Sequence, residues 1–368
     1  MKFILATLPP FLEDDWARYI WEGNLILKRL SPYIYTPESF FTKQDLAVDL
    51  TNLLSIINHP DWTSIYSPIV LLFFSLSFPK TYIGVKILYI LLEFFSLGYM
   101  LAILGRKWTV LFLFFPLYLK EVFWNALFEI LCLLCFFTAI YTLKNKRTFF
   151  LGILSGFLIL IKITAFPLVA RLIAFVYNKR LYQTKIIFGF LVGIVSPMLL
   201  FSILTKDFSL DFGYKNLIQF GKQFEFNFFL KHSLVDHFWI GLLFLIFPSF
   251  LLLIRILVTE KRVLNIDFVF FLVSLALVVV LPVNNAWYFL IPLPFWIVSK
   301  KRTIVPLILL STPQLSYLTF LNLGWGFSEV YAIPDNILYI QAVSYSICLI
   351  QLNRNYSFYF TLYPIYRT

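Results

Sequence analysis

Residues 9–37 read PPFLEDDWARYIWEGNLILKRLSPYIYTP, and the rest of the chain is read outward from them. On a helix beginning near Glu13, the residues Asp14, Arg18 and Glu22 follow at i, i+4 and i+8, so they share one face. Trp16, Ile20, Gly23 and Leu27 form the opposite, apolar stripe. This pattern predicts a helix lying on a membrane surface, with its apolar side in lipid and its charged side in water. A surface helix laced by i, i+4 ion pairs, with no chemistry attached, is the plainer reading of the same spacing. Asp14 and Asp15 also form an adjacent acidic pair. Such a pair can supply a general base together with a metal ligand, or a base whose proton affinity is tuned by its like-charged neighbour.

The surrounding composition decides the class. The 368 residues are 60% hydrophobic and only 13% charged, with a mean hydropathy of +0.84. Soluble domains sit nearer ~50% apolar and ~25% charged. The apolar residues come in long runs, which predicts an all-α, multi-pass transmembrane helical bundle of about 10–11 hydrophobic helices. Those runs lie at about 65–79, 82–104, 108–120, 122–143, 149–177, 184–203, 237–257, 266–281, 286–299, 303–321 and 333–352. The whole chain, 1–368, is expected to be one integral membrane domain. The net charge of +11 does not point to nucleic acid, because the bases cluster in short loops such as Lys144/Lys146/Arg147 and Lys300/Lys301/Arg302. Under the positive-inside rule these loops are cytoplasmic. Counting spans back from Lys144 places 13–64 outside as a loop with juxtamembrane helices, and 204–236 outside as a second loop. This count takes run 108–120, interrupted by Pro116, as a helix that does not fully cross. Run 149–177 carries bases at both ends and is expected to be two short helices broken near Lys162 and Pro167. The expected location is the cell inner (plasma) membrane, with the working face extracytoplasmic.

Further polar residues stand out against this background. Glu121, Asn125 and Glu129 are spaced to share a helix face at the outer end of run 122–143. Carboxylates at such depth pair with something or line a wet cavity. Lys162, in ILIKITAF, costs roughly 2.5–3.5 kcal/mol on insertion scales and is expected to meet a carboxylate or a phosphate. Snorkelling to the interface is its simpler explanation. His59 is a candidate metal ligand or phosphate contact in the outer loop, while His232 and His237 read as interfacial. Trp287 and Tyr288 follow Asn284-Asn285 at the outer end of a run, where an aromatic belt is expected in any case. Cys132 and Cys135 form a CxxC without a second ligand pair and read as core packing. No phosphate-binding GxxxxGK[ST] or dinucleotide-binding GxGxxG occurs, so neither an ATP-driven pump nor a dinucleotide enzyme is supported.

Taken together, Asp14-Asp15-Trp16-Ala17-Arg18-Tyr19-Ile20-Trp21-Glu22-Gly23 and Ser31-Pro32-Tyr33-Ile34-Tyr35-Thr36-Pro37 resemble the DDxYRYxWDGxxxxxGxNPYxYxP signature of bacterial GT-C membrane glycosyltransferases. The mannosyltransferase-like group of these enzymes uses polyprenyl-phosphate sugars. Asn58-His59-Pro60 through Tyr66-Ser67-Pro68 is similar to the family's N…IYPP stretch, and Phe115-Pro116-Leu117 through Glu129 to its NPL…E…NxHxD segment. Lys162 after Gly152 and Gly156, and Asn285-Ala286-Trp287-Tyr288 through Pro292, follow in the family's order, so the resemblance covers about residues 9–292. The departures are Glu22 for Asp, Ser31 for Asn, Ser67 for the first Pro of YPP, and Leu127…Glu129 for HxD. The family also has a transmembrane helix before its acidic pair, which residues 1–12 are too short to form.

The resemblance implies transfer of a mannose-like hexose from a polyprenyl-phosphate carrier to an extracytoplasmic glycan, lipid or protein acceptor, with inversion. It makes Asp14 the base and Asp15 the residue that positions the acceptor or shares a divalent cation, Mg or Mn. Arg18 and Lys162 then face the phosphate. Tyr19, Trp21, Glu22, Tyr33, His59, Tyr66, Glu121, Asn125, Glu129, Trp287 and Tyr288 are the implied substrate contacts. Two other classes compete: a transporter or flippase of lipid-linked sugars, and an inactive paralogue lacking the first helix.

Overall fold

The computed structural model describes residues 2–10, 13–42, 48–178, 183–209, 211–223, 266–280 and 285–299, with shorter stretches within 308–317 and 340–344. Among the described residues the chain is all-helical, with no strand. The first helices are α1 (Lys2–Thr7), α2 (Asp15–Leu27), α3 (Val48–Leu54), α4 (Pro68–Ser75), α5 (Tyr82–Leu104) and α6 (Arg106–Leu113). A single turn, α7 (Pro116–Tyr118), leads into a π-helical turn at Leu119–Trp124. Then come α8 (Glu129–Lys144), α9 (Thr148–Ile161), α10 (Phe166–Asn178), α11 (Gln183–Thr205), α12 (Tyr214–Gln223), α13 (Ile266–Val280) and α14 (Leu293–Ser299).

Two of the described helices, α5 and α11, are long and apolar enough to cross a membrane. Each has 23 residues, or about 35 Å at 1.5 Å per residue, against ~30 Å of hydrocarbon. The other described runs are shorter than the sequence predicts, and their breaks have visible causes. Run 65–79 yields only the eight residues of α4. Run 108–120 ends its helix at Leu113 and restarts at Pro116, which takes the first-turn position that proline tolerates. Run 122–143 begins in the π-helical turn and becomes α-helical only at Glu129, because between them Ala126 adopts a positive φ of 62° that no right-handed helix can contain. Run 286–299 is a 3-10 turn followed by the seven residues of α14. Run 149–177 does divide at Lys162, whose extended backbone separates α9 from a 3-10 turn and α10. Run 237–257, most of 303–321 and of 333–352, residues 224–236, His232, His237 and Cys348 lie outside the described residues or side chains.

The chain forms two compact units, one of Met1–Phe224 with Leu257–Arg262, the other of Glu225–Ile256 with Val263–Thr368. In the first, α9 and α11 pack backbone to backbone. A Cβ on Gly152 would lie 2.2 Å from the Ile186 carbonyl oxygen, and one on Gly193 would lie 2.3 Å from that of Ile153. Gly152/Gly156 and Gly189/Gly193 therefore form facing small-xxx-small pairs. Helix α2 sits equally close on α4, since a Cβ on Gly23 would meet the Phe74 carbonyl carbon at 2.6 Å.

The amphipathic expectation for α2 is corrected by this packing. Nine of its thirteen residues are buried, including Arg18 and Glu22 on the face predicted to meet water. Leu27, placed in the apolar stripe, is 58% exposed. The loop before α4 covers the polar face, so the helix is a core element with charges inside.

Helix α5 carries two charges that the sequence reading passed over, Lys86 and Glu93, seven residues apart and thus on one face. Lys86 Nζ donates to the carbonyls of Leu5 (3.0 Å) and Leu8 (2.6 Å) at the end of α1. Glu93 pairs with Lys2 and accepts a hydrogen bond from the Tyr118 hydroxyl at 2.9 Å. In the second unit, α13 and α14 pack through Phe270 and Phe295, their ring centroids 5.7 Å apart.

Candidate active site

The acidic pair stands at the start of α2, with Asp14 in the N-cap position and Asp15 first in the helix. Asn58 Nδ2 donates to Asp14 Oδ1 at 2.7 Å, and the Tyr19 hydroxyl lies 3.4 Å from Asp15 Oδ2. Burial, and then the neighbouring Asp15 charge, push the Asp14 carboxyl up to about 7; the Asn58 hydrogen bond and the Arg18 charge pull the other way. Burial also raises Asp15, which feels Arg18 and Lys162 as favourable charges and Glu129 as an unfavourable one.

Arg18, one turn further along, explains why Asn58 is where it is. Its Nε donates to Glu22 Oε1 at 2.8 Å. Nη1 donates to the backbone carbonyls of Asn58 and His59, both at 3.1 Å. Nη2 donates to those of Trp62 at 2.5 Å and Thr63 at 3.2 Å. Five donors meet five acceptors, which uses the whole inventory of a guanidinium. This corrects the expectation that Arg18 faces a phosphate: the protein's own loop occupies it. Glu22 is equally engaged, since its Oε2 accepts from Ser64 Oγ at 2.7 Å.

The opposite wall comes from helices distant in sequence. Tyr19 stacks on Phe74 (centroids 4.5 Å apart) and meets Tyr66 (5.0 Å) and Phe128 (5.6 Å) edge-on. The turn at Ala126, whose carbonyl accepts from the Tyr89 hydroxyl at 2.9 Å, then brings Glu129 to the first turn of α8. Glu129 is ion-paired with Lys162, whose ammonium lies 5.3 Å from the centre of the Phe128 ring. Lys162 reaches this point because its backbone has left the helix. Asp14, Asp15, Tyr19, Tyr66, Glu129 and Lys162 thus converge.

Other candidates fall elsewhere. The shared helix face expected for Glu121, Asn125 and Glu129 does not form, because the chain turns between the last two. Asn125 Nδ2 donates to Glu121 Oε2 at 2.9 Å, and Lys120 pairs with Glu121. Trp21 is fully buried with its indole edge against Phe40, which makes it core rather than a substrate contact. Tyr33 supports the site from behind, its hydroxyl donating to the Tyr66 carbonyl at 2.6 Å while its ring packs on Phe201 and Phe212. His59 contributes its carbonyl to Arg18, and its ring lies beside Trp62. Trp287 and Tyr288 belong to the second unit, on the 3-10 turn Ala286–Leu290, with their rings stacked at 6.1 Å. The sequence reading missed Asn58 as a contact and took its neighbour His59 instead. The available signal was an amide preceding a Pro-containing turn, in a loop that also holds Ser64.

Each of the three converging acids has a partner from the protein itself, while Glu129 Oε2 is buried without one. Asp14 already faces an amide, Asp15 a phenol and Glu129 an ammonium. Among the described residues no group of three or more His, Cys, Asp or Glu is arranged to hold a metal. Comparisons with protein-family models, with curated proteins and with solved structures return no match.

Proposed function

We propose that the chain is an integral membrane glycosyltransferase with a multi-pass helical body, moving a hexose from a polyprenyl-phosphate carrier to an extracytoplasmic acceptor. The observation that carries this reading is the convergence on Asp14-Asp15 of Glu129 and Lys162. Those groups lie more than a hundred residues away along the chain, in segments that resemble successive motifs of one enzyme family. The resemblance of the first motif and the two apolar spans support it further. The same reading places the site at the outer face of the plasma membrane and makes a glycan, lipid or protein the acceptor.

In this reaction the acceptor hydroxyl gives its proton to Asp14 as its oxygen attacks the anomeric carbon, and the carbon–oxygen bond to phosphate breaks on the opposite side. The products are the glycosylated acceptor and polyprenyl phosphate, with the anomeric centre inverted. One base and no covalent intermediate are needed. An Asp near 7 is half ionised at neutral pH, where a general base is most effective. Asp15 orients the acceptor. Lys162, whose charge reaches Asp15 alongside that of Arg18, stabilises the departing phosphate by shifting part of its interaction from Glu129. No step is routed through a metal.

The test is hexose transfer in membranes supplied with a panel of polyprenyl-phosphate hexoses. Asp14→Asn is expected to reduce turnover by ~100-fold or more, the usual contribution of a positioned base. Wild-type turnover in that variant removes Asp14 from the mechanism. Movement of the intact lipid-linked sugar across the bilayer with no product, for every donor, replaces the transferase with a flippase.

A further inference from the structure

The loop at 58–64 has no helix or strand to hold it, yet it delivers the Asn58 amide to within 2.7 Å of Asp14. Four of its carbonyls, from Asn58, His59, Trp62 and Thr63, turn inward onto one guanidinium. His59 takes a positive φ of 47° on the way, a conformation that non-glycine residues adopt only when their surroundings impose it. Arg18 is 5% exposed, and Glu22 and Ser64 brace it from the far side. Arg18 also projects from the same helix as the acidic pair, one turn beyond Asp14. The clamp and the carboxylate it serves are therefore fixed to one rigid element.

We propose that Arg18 is a positioning residue: it gathers the 58–63 backbone around its guanidinium so that the Asn58 side chain is held on the catalytic carboxylate. This inference rests on the transferase reading for its consequence, but not for its measurement. The groups whose charges bear on Asp14 are Asp15 and Arg18 from its own helix, and it in turn acts on Tyr66 from the loop before α4. Asn58 favours the ionised form of Asp14, so loosening it leaves the proton bound to higher pH. Lysine at position 18 keeps the positive charge but is a single point donor group with no planar fork, so it cannot gather four carbonyls and a carboxylate.

The experiment titrates Asp14 directly. Full-length protein in detergent is treated with a hydrophobic carbodiimide, which attacks protonated carboxyls, over a pH series. Modification of Asp14 is then read from peptide fragment masses. The expected result is a wild-type midpoint near 7, moved up by about one pH unit in Arg18→Lys and in Asn58→Ala, with no further movement in the double variant. Hexose transfer at neutral pH falls several-fold in Arg18→Lys and recovers in more alkaline buffer. An unmoved midpoint in Arg18→Lys overturns the proposal, as does a shift that adds in full on the Asn58→Ala background. Where Arg18→Lys does not fold, Ser64→Ala, which removes the brace on Glu22 and the acceptor of the Tyr66 amide while leaving Arg18 in place, is expected to move the midpoint the same way by less. No movement there is likewise fatal. If the midpoints behave as expected while no donor is used, the clamp stands and the transferase reading falls.

Discussion

The smallest decisive feature is one carboxyl, Asp14, held up near 7 by burial and by the charge beside it. The sign of its pH dependence follows directly. A base works ionised, so turnover is expected to be low at pH 5, to rise through about 7 and to level off above it. Asp15→Asn removes a charge that opposes ionisation of Asp14, so the rising limb of the rate profile is expected to move to lower pH, even as the maximal rate drops. A limb that stays in place in that variant means the profile reports some other group. Treatment with EDTA is expected to leave the rate within about twofold, because Asp14 is engaged by an amide, Asp15 lies beside a phenol, and Glu129, the carboxylate next to them, is paired with an ammonium. A rate that collapses on chelation and returns with Mg or Mn refutes that assignment. The pair itself is legible in the sequence because two adjacent acids are conspicuous in a chain with 13% charged residues. The role of Asn58 is not legible, since a loop amide carries no periodicity and only the arginine clamp tells where it goes.

Among the elements, the helices divide by how each is seated. Helix α2 looks amphipathic in its spacing, yet its polar face is internal, because the covering loop brings enough carbonyls to satisfy Arg18. Hydrophobic periodicity reports which residues are apolar; it does not report that a loop will solvate a charge in place of water. Run 82–104, in contrast, is readable to the residue, since twenty-three consecutive residues without a proline, almost all of them apolar, are long enough for one spanning helix. Run 122–143 failed as a reading because a positive φ at an alanine has no signature in composition. The glycine contacts between α9 and α11 carry their own prediction. Gly193→Leu is expected to force the helices apart, costing roughly 1–3 kcal/mol as overpacking does. It should lower the thermal midpoint of the detergent-solubilised protein, whereas Gly98→Leu, which meets nothing within 4 Å, should leave it nearly unchanged. Equal effects at the two positions indicate that glycine is needed for backbone freedom instead of close approach.

For the molecule as a whole, the two helices long and apolar enough to cross a membrane, α5 and α11, both belong to the first compact unit, which also holds the acidic pair. If the acidic pair faces outward, a cysteine introduced at Asp61, which is exposed, is expected to react with an impermeant maleimide in intact cells. Labelling only after the cells are opened puts the loop on the cytoplasmic side and ends the proposed use of a donor presented outside. The α1–α5 contact bears on how such a protein is made. An α5 that crosses a bilayer carries an ammonium and a carboxylate on one face, each a penalty of a few kcal/mol to partitioning. Its neutralising partners, Lys2 and the carbonyls of Leu5 and Leu8, were synthesised some eighty residues earlier and must still be at hand. The α1–α5 contact thus answers both charges from within the protein, a short helix near the start of the chain offsetting the polar cost of a longer, later one.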